Sequence, residues 1–210
     1  MELVLQMDWL HVYDNVLSEN YCNEIITKTT DHLSHTRLNP IGNYDIQIEK
    51  GRTSNQYFIP SDDGMDKKID ECASKLTKIN SNKFENTSII RYQKGQEYKQ
   101  HHDYFSDEGH GIDKIRQREL KISGNRVATA LFFLNDGFEG GETIFPLVNN
   151  LTIKPKTGRC IVWMNQFKHN SLGKEIKQVN GISLHAGLPI IKGEKFIATK
   201  WIREKKYKKI

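Results

Sequence analysis

The chain has 210 residues, a formal net charge of +5 at pH 7, a hydrophobic content of 37% and an aromatic content of 10%. This length is typical of a single domain with a sizeable core. Residues 1–9 lack the basic and apolar regions of a signal peptide, and no apolar run approaches the roughly 18 residues of a membrane span. We therefore expect one soluble domain with no export signal, in the cytoplasm or an unknown compartment.

The three cysteines, Cys22, Cys72 and Cys160, are odd in number and far apart. This spacing indicates neither a disulfide framework nor a zinc knuckle, so we expect small buried hydrophobic side chains in a reducing compartment. Much of the excess positive charge lies in the tail, residues 205–210. Such a run can contact nucleic acid or an acidic partner, but a solvated terminus is commoner, and we expect the latter.

The first part of the chain carries two amphipathic helical patterns. Residues 18–33 begin with a potential N-cap, Ser18, and residues 65–79 place apolar side chains on one stripe. We expect both helices to pack outside a sheet. Between them, a polar loop at 42–51 leads into a predicted strand at 52–59, and such loops often take part in recognition.

From residue 87 onward the pattern changes to short strands separated by glycine turns. This density of strands favours a β-sandwich or jelly roll. Residues 106–125 are polar and long for a connection, so both a mobile lid and an insertion without a role remain open. The predicted strands are 88–92, a strand containing 98–103, 127–134, 140–146, 151–153, 159–164, 182–185 and 194–202.

A His-x-Asp pair, His101 and Asp103, is the first candidate site. In a β-strand, residues two apart share a face, so the imidazole and the carboxylate could hold one ion while His102 points away. His185, in the segment Ser183–Gly187, is the best candidate for a third ligand. Two imidazoles and one carboxylate leave other positions of a metal open, which suits non-haem Fe(II) that activates oxygen.

Lys195 is the second candidate. Strand alternation places it on one face with Ile197, Thr199 and Trp201, and a lysine among core-facing residues needs a partner because an unpaired buried charge is expensive. The carboxylate of a small ligand near the metal would supply that partner, with Thr199 extending the contact. The alternative is that Lys195 snorkels to the surface. Lys200, on the opposite face, is expected to be solvated.

Together these residues resemble the 2-oxoglutarate- and Fe(II)-dependent prolyl 4-hydroxylases, from about residue 52 to residue 204. A lysine at the position of Lys195 is typical of the collagen-type branch. The motifs that carry the resemblance are Arg91-Tyr92, Gly95-Gln96 and Tyr98 leading to His101 and Asp103; Arg126, Thr129 and Leu131-Phe132; Gly140-Gly141, Thr143 and Phe145-Pro146; Pro155-Lys156 and Gly158 before Trp163; and His185-Ala186 with Lys195 and Lys200-Trp201.

The resemblance implies a mainly β fold, a double-stranded β-helix or jelly roll with flanking helices. It divides residues 1–210 into a helical and strand support region at 1–86, a β-helix core at 87–204 and a basic tail at 205–210. It also implies 4-hydroxylation of peptidyl proline with release of succinate and CO₂, using Fe(II), 2-oxoglutarate, O₂ and L-ascorbate.

The family's functional residues carry over to matching positions in this chain. His101, Asp103 and His185 would hold Fe(II), and Lys195 would bind the distal carboxylate of 2-oxoglutarate. The cosubstrate pocket would also be lined by Tyr92, Thr129, Thr199 and Trp201. The peptide would lie nearer to Tyr98, Trp163, Arg52 and Ser54.

One position departs from the family pattern, and two other functions remain open. Phe133 stands where relatives often have a tyrosine that helps to bind the cosubstrate, so one hydrogen bond of about 0.5–1.5 kcal/mol is missing. The same chemistry could act on peptidyl lysine or alkylated nucleic acid, although the arginine pair of the nucleic-acid branch is absent after His185. The third possibility is a binding module with a structural metal. The expected partner is a proline-containing peptide or protein, with no membrane involved.

Overall fold

The computed structural model describes residues 1–35, 53–106, 114–171 and 174–209. Within them the chain is mainly β. The helices are α1 (Glu19–Thr29), α2 (Gly64–Thr77) and α3 (Lys114–Ser123). The strands are β1 (Glu2–Gln6), β2 (Leu10–Asp14), β3 (Ser34–His35), β4 (Asn55–Phe58), β5 (Ser88–Tyr92), β6 (Tyr98–His101), β7 (Arg126–Phe133), β8 (Glu139–Gly140), β9 (Thr143–Phe145), β10 (Leu151–Ile153), β11 (Cys160–Met164), β12 (Gln166–Ser171), β13 (Lys174–Val179), β14 (His185–Gly187), β15 (Ile190–Lys192) and β16 (Lys195–Arg203).

Two antiparallel sheets form the body of the protein. The larger has eight strands in the order β1-β2-β11-β7-β16-β5-β4-β3, and the smaller has four in the order β10-β9-β14-β6. One apolar cluster, with Phe145, Ile161 and Ile197, contains side chains from both sheets. This arrangement is the predicted jelly roll, and it places the inward-facing ends of β6, β14 and β16 around one cavity.

Helices α1 and α2 cover the outer face of the large sheet, as the amphipathic patterns predict. Ser18 caps α1 by accepting a hydrogen bond from the Tyr21 amide at 3.3 Å, and Asp63 caps α2 through the Met65 amide at 2.7 Å. A second core cluster contains apolar residues of both helices together with the alternate residues of β7 and β16. The sheet is therefore apolar on both faces, which explains the nearly continuous apolar sequence of β7.

The cysteine and tail predictions hold only in part. Cys22 and Cys160 are fully buried free thiols within the second cluster, whereas Cys72 is half-buried. In the tail, Lys205 and Lys206 are exposed as expected. Lys209 differs, because its ammonium group lies 2.6 Å from the Asp66 carboxylate and also contacts Asp70.

The prediction for Lys200 is wrong. The residue does lie on the face of β16 opposite Lys195, but α2 covers that face, so Lys200 is fully buried. Its Nζ lies 2.7 Å from both the Asp66 and the Asp70 carboxylates. Alternation along a strand indicates which side a residue takes, but it does not reveal whether that side meets water.

Three segments also differ from the prediction. Residues 106–125 include α3, which ends at Ser123 and is followed by Gly124, where φ is +69° and an added Cβ would lie 2.7 Å from Glu204 Cβ. The polar stretch after β11 forms the hairpin β12–β13, and residues 182–185 are mostly a 3-10 turn before β14. Residues 36–52, with the predicted recognition loop and Arg52, and residues 107–113 lie outside the described residues.

None of the helices within the described part of the chain combines the length and the apolar character that crossing a bilayer requires.

Candidate active site

The two histidines predicted as metal ligands come from neighbouring strands of the small sheet. His101 on β6 and His185 on β14 are direct partners in the antiparallel register, so their side chains project from the same side. Their ring centroids are 4.2 Å apart. Strand pairing between distant segments thus brings the two imidazoles together.

Asp103 completes the group, but not for the reason that the sequence indicated. Strand β6 ends at His101 and Asp103 follows it in a bend, so the two residues do not share a strand face. The carboxylate nevertheless lies 3.7 Å from His101 Nε2 and 4.0 Å from His185 Nε2. The three ligand atoms all lie within 4.8 Å of one another, which is compact enough to hold one metal ion.

Hydrogen bonds orient both imidazoles for coordination. His101 Nδ1 donates to the Lys99 carbonyl at 2.8 Å, and His185 Nδ1 donates to the Ser183 carbonyl at 2.9 Å. Since Nδ1 carries the proton, Nε2 of each ring keeps its lone pair for a metal. Burial lowers the pKa of His185, which favours the neutral ring that a metal requires.

Asp103 is buried and ionised. Burial opposes ionisation, but the charge of His185 and His101 whenever those rings are protonated, the Arg126 guanidinium and the hydrogen bond from Thr129 hold the pKa of Asp103 below its usual value. The Thr129 hydroxyl lies 2.6 Å from Asp103 Oδ2. A carboxylate and two imidazoles whose ligand atoms converge on one point form the donor set that Fe(II) oxygenases use, so these residues fit Fe(II).

Lys195 lies in the same cavity and is only 2% exposed. Its Nζ donates to the Gly141 carbonyl at 2.6 Å and lies 5.4 Å from the ring centroids of Tyr92 and Phe133. Among the described residues no carboxylate forms a salt bridge with it, and burial lowers its pKa to about 7. Such a group favours an anionic ligand, because the ligand would supply the missing countercharge.

Most of the residues that line the cavity are apolar or aromatic. The Tyr98 ring stacks on His101 with centroids 3.5 Å apart, and Trp163 lies 4.7 Å from the His185 ring. Among the lining residues are most of the predicted site residues, namely Tyr92, Tyr98, His101, Asp103, Trp163, His185, Lys195, Thr199 and Trp201.

Two of the predicted site residues that the structure describes do not line this cavity. Thr129 is buried behind it, where its hydroxyl contacts Asp103. Ser54 is buried just before β4 and is not among the lining residues, and Arg52 lies outside the described part of the chain. The sequence also gave no indication of Asn165, whose side chain donates to the Thr129 hydroxyl at 2.8 Å. An asparagine just after a strand carries no motif that would identify it.

Comparisons with known proteins agree with this geometry. The family described as the 2OG-Fe(II) oxygenase superfamily matches residues 87–203. Prolyl 4-hydroxylase 2 of Arabidopsis thaliana is 29% identical over 220 residues, which cover 95% of this chain and 68% of the relative. The chain therefore belongs to the 2OG-Fe(II) oxygenase superfamily.

Solved structures narrow the class within that superfamily. The viral collagen prolyl hydroxylase vCPH from Paramecium Bursaria Chlorella virus-1, determined as its 2OG complex, superposes with a TM-score of 0.66 and is 26% identical, with 93% of this chain and 96% of that chain covered. A Trichoplax adhaerens prolyl hydroxylase in complex with a hypoxia inducible factor peptide fragment has a TM-score of 0.63 at 15% identity, covering 94% of this chain and 84% of that chain, and shows the same fold.

The chain is thus a prolyl 4-hydroxylase-like dioxygenase. The resemblance, the jelly-roll fold and the enzyme class predicted from the sequence are confirmed. Fe(II), 2-oxoglutarate and O₂ are accordingly its metal, cosubstrate and oxidant.

Proposed function

We propose that this protein hydroxylates C4 of proline in a peptide or protein, with release of succinate and CO₂. His101, Asp103 and His185 would hold Fe(II), and Lys195 would bind the distal carboxylate of 2-oxoglutarate. The observation that carries the proposal is that these three ligands and a buried lysine with no carboxylate partner among the described residues share one cavity.

Bound Fe(II) would supply the coupling of 2-oxoglutarate decarboxylation to hydroxylation of a substrate carbon. The chain's own residues hold and orient the reactants, which removes much of the entropic cost of bringing them together. The Lys195 ammonium would form a charge-assisted bond to one end of the cosubstrate, and the apolar walls would exclude water. Placed in this way, the other end of the cosubstrate would face the three ligands.

Two indole groups have unmet hydrogen-bonding capacity in the cavity. The Nε1 atoms of Trp163 and Trp201 are buried and have no hydrogen-bond partner within the described residues. A buried N–H without a partner costs about 1–3 kcal/mol, so both groups are ready to donate to a ligand oxygen. Trp201, Tyr92 and Thr199 lie with Lys195 along β16 and its partner β5, which supports their place in the cosubstrate pocket.

The peptide side of the site rests on fewer contacts. Tyr98 and Trp163 line the cavity beside the histidines, which supports their contact with the substrate. Contacts of Arg52 and Ser54 with the peptide, the division of the domain at residues 86 and 204, a cytoplasmic location and a role for ascorbate all remain predictions from the sequence.

The test is succinate formation with Fe(II), ascorbate and 2-oxoglutarate, with and without proline-rich peptides, followed by mass analysis of the peptides. We expect peptide-stimulated succinate and a gain of one oxygen on proline. Succinate without oxidised peptide would retain the oxygenase but reject the tested substrates. The absence of both in a folded, iron-loaded protein would favour a binding module.

Replacement of the proposed metal ligands tests the metal site. His101→Ala, Asp103→Ala and His185→Ala should each abolish turnover while circular dichroism remains that of the wild type, because three protein ligands are needed to retain Fe(II). His102→Ala is the control, since His102 Nε2 is directed to the Gly181 carbonyl at 3.1 Å. Full activity in any of the three ligand variants would contradict the metal assignment.

A further inference from the structure

A chain of buried hydrogen bonds leads from the hairpin β12–β13 to the metal site. Asn165 Nδ2 donates to Thr129 Oγ1 at 2.8 Å, and Thr129 Oγ1 donates to Asp103 Oδ2 at 2.6 Å. Asn165 and Thr129 have no exposed surface, and Asp103 is 6% exposed. We propose that Thr129 and Asn165 are positioning residues that fix the carboxylate of the metal ligand Asp103, an inference that rests on the proposed function.

The number of protons available determines which atom donates in each of these hydrogen bonds. An ionised carboxylate only accepts hydrogen bonds, so the single hydroxyl proton of Thr129 must point to Asp103. The hydroxyl can then only accept from Asn165, which requires the amide nitrogen of Asn165 to face it. The same orientation leaves Asn165 Oδ1 buried without a partner among the described residues.

The backbone keeps Asn165 in place. Its amide donates to the Val127 carbonyl at 2.9 Å, and its carbonyl accepts from the Asn180 amide at 2.9 Å. The Asn180 side chain in turn donates to the Met164 carbonyl at 2.8 Å. Asn165 is therefore anchored both to β7, which carries Thr129, and to the base of the hairpin, so it can act as a fixed donor.

The orientation of the Asp103 carboxylate would affect how many coordination positions of the metal remain open. The Thr129 hydrogen bond uses one lone pair of Asp103 Oδ2 and none of Oδ1, so it would favour binding of the metal through Oδ1 alone. A carboxylate bound through both oxygens would use a position that the cosubstrate and O₂ need. Residues that orient metal ligands in this way typically change metal affinity or activity by about 10- to 100-fold when they are replaced.

This role differs from the one that the sequence indicated for Thr129. A threonine in the cosubstrate pocket would offer its hydroxyl to the ligand, but the Thr129 proton is already used by Asp103. Its side chain also lies outside the residues that line the cavity. The hydroxyl is thus directed at the metal ligand and not at the space that a cosubstrate would fill.

The experiment measures Mn(II) binding by calorimetry, without cosubstrate or turnover, in the full chain. Thr129→Val has nearly the same shape without the hydroxyl, and we expect it to weaken Mn(II) binding by about 10- to 100-fold. Thr129→Ser restores the hydroxyl and should return the affinity toward that of the wild type. Thr29→Val is the matched control, because Thr29 is also a fully buried threonine whose hydroxyl is bonded, but in α1.

A double-mutant cycle tests whether Asn165 acts through Thr129. Asn165→Leu should weaken Mn(II) binding in the wild type but have no further effect in Thr129→Val, since the hydroxyl through which it acts is absent. Asn165→Ser serves the same purpose if the leucine variant does not fold, as judged by metal-free thermal unfolding. If the Asn165 substitution weakens Mn(II) binding equally in the wild type and in Thr129→Val, Asn165 does not act through Thr129.

Failure of this inference can be distinguished from failure of the proposed function. If wild-type protein binds Mn(II) and Thr129→Val binds it equally well, the positioning role is wrong and the metal site stands. If the wild type itself binds no divalent metal, the metal site and the proposed function both fail.

Discussion

Lys195 is a buried amine whose charged form lacks a countercharge among the described residues, which suits the anion-binding role proposed for it. Its amine is buried next to aromatic rings and bonds to a backbone carbonyl, and burial lowers its pKa to about 7. The charged form lacks a salt bridge within the described residues, so it is costly until an anion arrives. If Lys195 is the anion anchor, the site would gain part of its affinity from a charge that the protein itself does not neutralise.

Replacement of this lysine should affect the cosubstrate selectively. We expect Lys195→Ala to raise the KM for 2-oxoglutarate by about 10- to 100-fold, because a hydrogen bond to a charged group is worth about 1.5–3 kcal/mol. The KM for peptide should change little. Steady-state kinetics with each substrate varied will measure both constants, with the exposed Lys192→Ala as the control. Unchanged constants for both substrates would show that Lys195 is not the anion anchor.

The lowered pKa of Lys195 also predicts a pH dependence. Above about pH 7 the amine of the free protein loses its proton, so binding of dianionic 2-oxoglutarate must take up a proton. Affinity should fall about tenfold per pH unit above that value, because the competent fraction falls by that factor. Calorimetry of Mn(II)-loaded protein between about pH 6.5 and 8.5, in buffers of different ionisation enthalpy, will measure both effects.

The pH dependence of stability and an arginine variant both test whether Lys195 causes this pH dependence. The pKa of Lys195 is lower in the folded than in the unfolded chain, so the unfolded chain binds more protons between about pH 7 and the ordinary lysine value of 10.5. This group therefore makes the cosubstrate-free protein more stable as pH rises through that window. Lys195→Arg should remove the pH dependence of binding, since arginine stays charged. An equally steep profile in the arginine variant would rule out Lys195 as its source.

At the level of elements, strand β16 carries two lysines with opposite roles. Lys195 faces the cavity between the sheets, whereas Lys200 faces α2 and lies between Asp66 and Asp70. Burial raises the pKa of Asp66, but Lys200, Lys209 and Thr87 together lower it by more. The net pKa is therefore below its usual value, and the carboxylate is ionised. This buried group of charges joins α2 to the large sheet.

Lys200→Met should destabilise the protein by about 3–5 kcal/mol, because it leaves a buried carboxylate without its partner. Urea unfolding will measure the loss. The exposed Lys206→Met is the control and should change stability by no more than about 0.5 kcal/mol. A small loss in Lys200→Met would mean that Lys209 alone compensates Asp66.

At the level of the whole molecule, the proposed site draws its residues from both sheets. The proposed metal ligands come from the small sheet and the bend after β6, whereas Lys195 comes from the large sheet. A cosubstrate that contacts both the metal and Lys195 would therefore link the sheets across the cavity.

We expect Mn(II) and 2-oxoglutarate together to raise the Tm by about 5–10 °C, since a ligand at 100 times its Kd stabilises by about 2.7 kcal/mol. 2-Oxoglutarate alone should have a much smaller effect, because it lacks the metal end of its site. Thermal unfolding with each ligand separately and together will test this, and EDTA should reverse the shift. His185→Ala is the control; a full shift in that variant would contradict the predicted linkage.

The amino-acid sequence by itself determined the local features of this protein. Periodicity located both flanking helices and most core strands, because alternation and helical spacing are properties of a single element. Alternation also placed Lys195, Thr199 and Trp201 on one face of β16, and the combined motifs identified the family. The identity of the candidate ligands His101, Asp103 and His185 likewise required no structure.

Only the tertiary structure decided how distant segments meet. The register between β6 and β14 places His101 opposite His185, α2 buries Lys200, and the end of β11 brings Asn165 to Thr129. Asp103 reaches the site through a bend and not along the strand. Local patterns encode which residues of one element share a face. Strand order, register and the covering of a face depend on packing across the whole chain, which no single stretch of sequence specifies.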